Sequence, residues 1–463
     1  MSSKRIFTGN NVYLPGSDNV IPATVTVDKS TGKIVLVEPN VRRKRQDFTD
    51  VTADEDFIDA GDKVIIPGLV DAHVHLNEPG RTDWEGFWTG TRAAASGGIT
   101  TVIDMPLNSI PPTTTVANLE EKRQAAKGQC WTDVGFWGGV IPGNQVHLRP
   151  LIDAGVKGFK CFLIESGVEE FPCVAEQDLV PAMETLKGTP TVLCFHAELD
   201  TSPAAPEATT PANPTHYQTF LTSRPPELEI AAIKLITSLH ARYPSLRLHI
   251  VHLSASSALP LIEAAKSSGL PLTIETCFHY LSLSASQIPH GHPEFKCCPP
   301  IRSSTNQDAL WEGLEKGLID FVVSDHSPCV VELKKVEDGD IMNAWGGIST
   351  LGLGLSLLWT EGKKRDVKNL LKKAVQWLAV GTAKHAGLEN VKGKLEVGFD
   401  GDLVIWDPEV EFTVTKESLN FKNKLTPYEG LTLKGKVQQT YLRGNLVYDA
   451  VEGFAEKPVG NFV

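Results

Sequence analysis

Two histidines one residue apart, His73 and His75, follow the apolar run Val64-Ile-Ile-Pro-Gly-Leu-Val70. A strand alternates its side chains between faces, so both imidazoles point the same way and can grip one divalent ion. Such a pair is as easily two buried histidines bonded to backbone, so its company decides. Similar residues recur at the ends of other apolar runs: His196 after Val192-Leu-Cys-Phe, His252 after Leu248-His-Ile-Val, Asp325 after Phe321-Val-Val-Ser. Lys160 lies inside another, Gly158-Phe-Lys-Cys-Phe-Leu163. Four imidazoles, a lysine and a carboxylate at strand ends read as a metal site. An ammonium, with an ordinary pKa of about 10.4, cannot ligate a metal. Lys160 is therefore either paired with a carboxylate such as Glu165, or a deprotonated amine that has added carbon dioxide. The resulting carbamate would bridge two metals about 3.5–4 Å apart, a spacing that can clamp a tetrahedral transition state. His249 is turned to the opposite face by alternation and reads as structural, while His279 and His326 flank plausible active-site loops.

The elements that must position these groups alternate. Strands are expected at 69–75, 100–105, 133–140, 158–163, 192–197, 248–253, 272–276 and 321–325. The clearest helices fall at 85–96, 119–126, 227–242 and 258–268, with Gly97-Gly98 ending the first. This α/β pattern predicts a (β/α)8 barrel over 65–393, a doubly wound open sheet being the alternative. The Pro- and Thr-rich stretch 201–214 reads as a long loop at a strand's C-terminal end. The two ends of the chain read instead as short strands, at 5–7, 11–14, 23–27 and 33–37, then 394–397, 402–406, 411–415, 438–442 and 446–448. Neither end buries a core alone, so 1–64 plus 394–463 are expected to form one small β-sandwich.

A net charge of −12 leaves no basic surplus for nucleic acid. No run of about eighteen apolar residues appears, so no membrane span is expected. The first residues lack the apolar core of a signal peptide, which favours the cytoplasm. Eight cysteines without a Cys-x-x-Cys pair are too sparse for a disulfide framework and are expected to be reduced.

Taken together, Asp71-Ala-His-Val-His75, the lysine of Gly158-Phe-Lys-Cys-Phe-Leu163, His196, His252 and Ser324-Asp-His-Ser327 resemble the cyclic amidohydrolases, the group of dihydroorotases, dihydropyrimidinases (hydantoinases) and allantoinases. The resemblance covers nearly the whole chain. It implies that His73 and His75 bind the more buried metal and His196 and His252 the second. Lys160 would be the carboxylated bridge, and Asp325 both ligand and general base. Dihydroorotases carry an arginine where this chain has Asn77, and hydantoinases a tyrosine where it has Glu165. Asn77-Glu-Pro-Gly-Arg-Thr-Asp-Trp-Glu-Gly-Phe87, Asp104-Met-Pro-Leu-Asn108, Phe162-Leu-Ile-Glu-Ser-Gly-Val168, Ser223-Arg-Pro-Pro226 and Ala344-Trp-Gly-Gly-Ile348 are similar instead to allantoinases of the fungal type. The implied reaction is hydrolysis of the hydantoin-ring amide of allantoin to allantoate by a hydroxide shared between two metals. Zinc is the foremost candidate, ahead of cobalt, manganese or iron. Asn108, Ser327 and Asn343 are the expected substrate contacts, and a homo-tetramer is the implied assembly. A hydantoinase or dihydropyrimidinase is the nearest alternative. A catalytically silent scaffold would lack ligands, and all six are present.

Overall fold

The structure, a computed structural model, describes residues 4–49, 51, 53–201 and 213–463. Most of the expected loop 201–214 thus lies outside the described residues. Strands run Leu69–Val74, Ile99–Asp104, Asp133–Phe136 with Gly138–Gly139, Phe159–Phe162, Val192–His196, Arg247–Ile250, Leu272–Cys277 and Phe321–Val323. Each lies parallel to the next, in two ladders. Trp137 separates the ladders, its indole N–H donating to the Ala72 carbonyl at 2.8 Å. Ladder contact resumes where Val140 N donates to Lys160 O at 2.9 Å. Closure comes from the first and last strands. His75 N donates to His326 O at 2.8 Å, and Asp71 Oδ1 accepts from both His73 N (3.2 Å) and Ser324 N (3.3 Å). The result is the expected eight-stranded barrel rather than an open sheet. Its strands read as continuous apolar runs because helices cover their outer faces.

Two expected strands stop early for a physical reason. Phe321–Val323 ends before Asp325 and Arg247–Ile250 before His252, because Asp325 (φ 43°) and His252 (φ 39°) adopt left-handed backbone. That conformation breaks the ladder and swings both side chains to the barrel's C-terminal mouth.

The terminal strands join into one nine-stranded mixed sheet. Its order is Gly453–Phe454, Asn445–Asp449, Thr432–Leu442, Leu403–Thr413, Val64–Pro67, Lys4–Val12, Ile21–Asp28 and Ile34–Pro39, with Phe57–Asp59 also on Lys4–Val12. Val64–Pro67 sits between the N- and C-terminal parts and passes through Gly68 directly into the first barrel strand. A Cβ at Gly68 would collide with the Thr100 side chain, so this hand-over requires glycine. Phe7, Val25, Ile65, Leu403 and Tyr441 build a separate core there. Residues 394–397 are not a strand; Leu395 fills that core from a loop. Residues 411–413 belong to the single long strand Leu403–Thr413, whose pairing slips between Asp407 and Glu411.

A buried ion cluster ties sheet to barrel. Lys392 Nζ contacts Asp133 at 2.6 Å and both Asp400 and Asp402 at 2.8 Å, and Arg443 also binds Asp133. Asp133 opens the third barrel strand and accepts from Asn461 N at 2.8 Å, which anchors the C-terminal segment. Removing one partner of a buried ion pair costs about 3–5 kcal/mol. Lys392→Met, which removes the buried cation shared by three carboxylates, is expected to lose about that much unfolding free energy in urea titrations followed by circular dichroism.

Candidate metal centre

All six sequence-predicted donors, His73, His75, Lys160, His196, His252 and Asp325, face one cavity of about 350 Å³ at the C-terminal ends of the strands. Donor atoms of His73, His75 and Asp325 lie within 4.8 Å of one another. Asp325 Oδ1 is 3.1 Å from His73 Nε2 and 3.4 Å from His75 Nε2. The His252 ring centroid is 5.5 Å from that of His73 and 4.6 Å from that of His196. His252 Nδ1 is buried with no hydrogen-bond partner among the described residues. Imidazole and carboxylate donors converging this closely, one with no partner, fit a divalent-metal centre.

Three residues orient the histidines. Glu275, on the strand beside Phe321–Val323, accepts from His73 Nδ1 through Oε1, which also takes His252 N at 3.3 Å; Oε2 takes His249 Nε2 at 3.1 Å. Burial pushes this carboxyl up, but the His73 charge and the His249 hydrogen bond outweigh it and hold the group well below the usual carboxylate range. Glu198 accepts from His196 Nε2 at 2.7 Å, which leaves Nδ1 as the nitrogen able to ligate. The Asn108 amide lies 3.3 Å from His75 Nδ1. It is the amide nitrogen, Nδ2, that faces the ring there. Neither Glu275 nor Glu198 was marked by the sequence reading. Their signal was a charged residue within an apolar run, in Thr273-Ile-Glu-Thr276, and a carboxylate two places after a candidate ligand.

Lys160 is 1% exposed and forms no ion pair with Glu165 or any other described carboxylate. Its Nζ stands 5.2 Å from the centre of the Phe162 ring. Burial drives its pKa down from the usual lysine value, against the pull of Asp325 and Glu275. Ser327 lines the cavity. Asn343 lines its exposed mouth, where its amide is tied to Asp340 at 2.7 Å. Asn77 does not line it. It takes left-handed backbone (φ 64°), and its side chain donates to Pro328 O at 3.3 Å, bracing the segment after Asp325. His249 is structural, as expected, and His326 is too, with Nε2 3.1 Å from Glu85 and Nδ1 accepting from Thr350 N. His279 is buried outside the cavity lining, and burial lowers its pKa to about 4. All eight cysteines are free, and no described helix is long and apolar enough to cross a membrane.

A closed (β/α)8 barrel with this donor set at its C-terminal mouth is the framework of a metal-dependent hydrolase. Comparison with known proteins agrees. The model of the amidohydrolase family matches residues 64–447. An allantoinase of Saccharomyces cerevisiae is 47% identical over 458 residues, spanning 98% of this chain and 97% of that one. One of Streptomyces avermitilis is 47% identical over 446 residues, spanning 96% and 95%. The solved L-hydantoinase (dihydropyrimidinase) of Arthrobacter aurescens superposes with a TM-score of 0.88 at 30% identity, covering 99% of both chains. The chain belongs to the amidohydrolase family.

Outer partners of metal-binding histidines typically contribute 10–100-fold in metal affinity. Glu275→Gln is expected to weaken metal binding by about that factor, measured by competition with a chelator while circular dichroism confirms the fold. In the metal-free protein, burial lowers the His73 pKa, but Asp325 and Glu275 overcome it and raise the value to about 9. A ligating imidazole must be neutral, so a metal has to displace this proton. Metal uptake by the apoprotein should therefore release protons and strengthen as pH rises toward 9, read by calorimetry in buffers of differing ionisation enthalpy. A pH-independent affinity between 6 and 9 would contradict that assignment.

Proposed function

We propose that the protein opens the hydantoin ring of allantoin, hydrolysing its amide to give allantoate, a step of ureide and purine breakdown. The observation that carries this reading is the convergence of six donors on one cavity, in a chain 47% identical to allantoinases along nearly its whole length. In this reading His73 and His75 hold the inner ion and His196 and His252 the outer one. Lys160 would help hold both as its carbamate: the neutral amine would bond to the carbon of CO2 and release one proton, leaving an anion with two oxygens able to ligate. The absence of a counterion and the depressed pKa of Lys160 support a neutral amine poised for this step. When bound, the ions, zinc by preference, lower the pKa of water and polarise the ring carbonyl.

The chain's own residues do the rest. Asp325 takes the proton of the attacking water and passes it to the ring nitrogen as the C–N bond breaks. Glu275 and Glu198 hold His73 and His196 in their ligating tautomers. Ser327, Asn108 and Asn343 supply polar contacts to a small, neutral, amide-rich substrate, Asn108 sharing its amide with His75. By resemblance to the family, the enzyme works as a homo-tetramer; we place it in the cytoplasm.

The hydantoinase neighbour favours one second reading, ring opening of a simpler cyclic amide. Comparing kcat/KM on allantoin and dihydrouracil decides: allantoin is expected to be opened faster, and the reverse would transfer the assignment. Lys160→Ala is expected to lose most bound metal and all measurable turnover, by elemental analysis and product assay. Full metal content and activity in that variant would refute the carbamate.

A further inference from the structure

Glu198 is fully buried, and its Oε2 serves two donors: His196 Nε2 at 2.7 Å and Arg224 Nη1 at 2.5 Å. Arg224 follows the short helix Tyr217–Ser223, and its guanidinium lines the cavity that the six donors face. Its backbone is held as well. Arg224 O accepts from Arg302 Nη1 at 3.2 Å, while Arg302 is fixed by Glu229 Oε2 (2.9 Å) and Ser254 Oγ (3.0 Å). No described residue accepts a hydrogen bond from Arg224 Nε or Nη2. The cavity wall thus presents a fixed, planar set of N–H donors.

Its charge matters as much as its shape. Arg224 and Glu198 together sum to zero, so the wall offers strong donors without the uncompensated positive charge that would draw a carboxylate substituent. The N–H groups of the other cavity cation, Lys296, are engaged by carbonyls, donating to Met342 O at 2.6 Å and Ala344 O at 2.7 Å. A neutral acceptor matches this wall. In allantoin, the ring amide is the reacting end and the ring substituent is a ureido group, whose carbonyl is a strong uncharged acceptor.

We propose that Arg224 is a specificity-determining residue that binds the ureido carbonyl, and that Glu198 is the positioning residue that sets both Arg224 and the ligating tautomer of His196. This rests on the allantoin reading above. One buried carboxylate then couples the outer metal position to recognition of the substrate's far end.

The test uses full-length, metal-loaded protein and two ligands, allantoin and hydantoin, the latter being the same ring without the ureido group. Hydantoin is followed as a substrate or, if it is not opened, as a competitive inhibitor. Arg224→Gln is expected to lower kcat/KM for allantoin about tenfold or more, to leave the hydantoin constant within about twofold, and to leave metal content unchanged. Glu198→Gln is expected to lose the same discrimination and also to weaken metal binding about 10–100-fold in chelator competition. Equal effects of Arg224→Gln on the two ligands, or none on either, would overturn the role of Arg224. Unchanged metal affinity in Glu198→Gln would overturn the coupling. Wild-type protein that binds metal but does not open allantoin would instead overturn the functional reading on which both depend.

Discussion

The buried carboxylate of Glu275 is the interaction on which the mouth of this barrel depends. Unpaired, a carboxylate in a barrel wall is very unfavourable. Here it takes His73 Nδ1, His249 Nε2 and the backbone N–H of His252, so one group fixes donors on the first barrel strand and on the sixth with the turn that ends it. Its neighbours cannot rotate away without leaving that charge unsatisfied, which makes the arrangement rigid before any ion arrives. Metal affinity then draws on a geometry that folding has already set.

The same mouth stores backbone strain. His252, Asp325, Asn108 and Asn77 all have positive φ, and for the first two this is an uncommon conformation for a bulky or charged residue. Each such residue costs of order 1–3 kcal/mol. The strain persists because the surroundings over-determine it: His252 N is captured by Glu275, and the turn after Asp325 is pinned by Asn77 and by the His75–His326 backbone bond. In return, a strand's last side chain points into the cavity instead of across the ladder. At the opposite face the demand is different. There Lys392, Arg443 and Lys33 balance Asp133, Asp400 and Asp402, joining the barrel to a sheet that both chain ends must complete.

Much of this was legible in the chain. Apolar runs separated by helical stretches determined the eight parallel strands, because a strand buried on both faces must be apolar throughout. The polar residues that interrupt those runs at 73, 75, 160, 196, 252 and 325 marked the groups that line the cavity, since nothing in a purely structural barrel requires them there. Where reading by pattern failed, packing had overridden it. Leu395 sits in a core without being in a strand, and the pairing slip near Asp407 merges two expected strands into one.

What only the tertiary structure decided is which residue supports which. Asn77 stood out only as a departure from the dihydroorotase pattern, and the structure shows it bracing the loop after Asp325. Asn108, expected as a substrate contact, also lies against His75. Glu275 and Glu198 stood out locally only as carboxylates near apolar runs; their roles were not readable there, because His73 is 202 residues from Glu275 and Glu198 is divided between His196 and Arg224. Side-chain type and strand period act over a few residues and are written locally. Tautomer, ion pairing and the shape of a cavity wall depend on groups that meet only when the barrel closes.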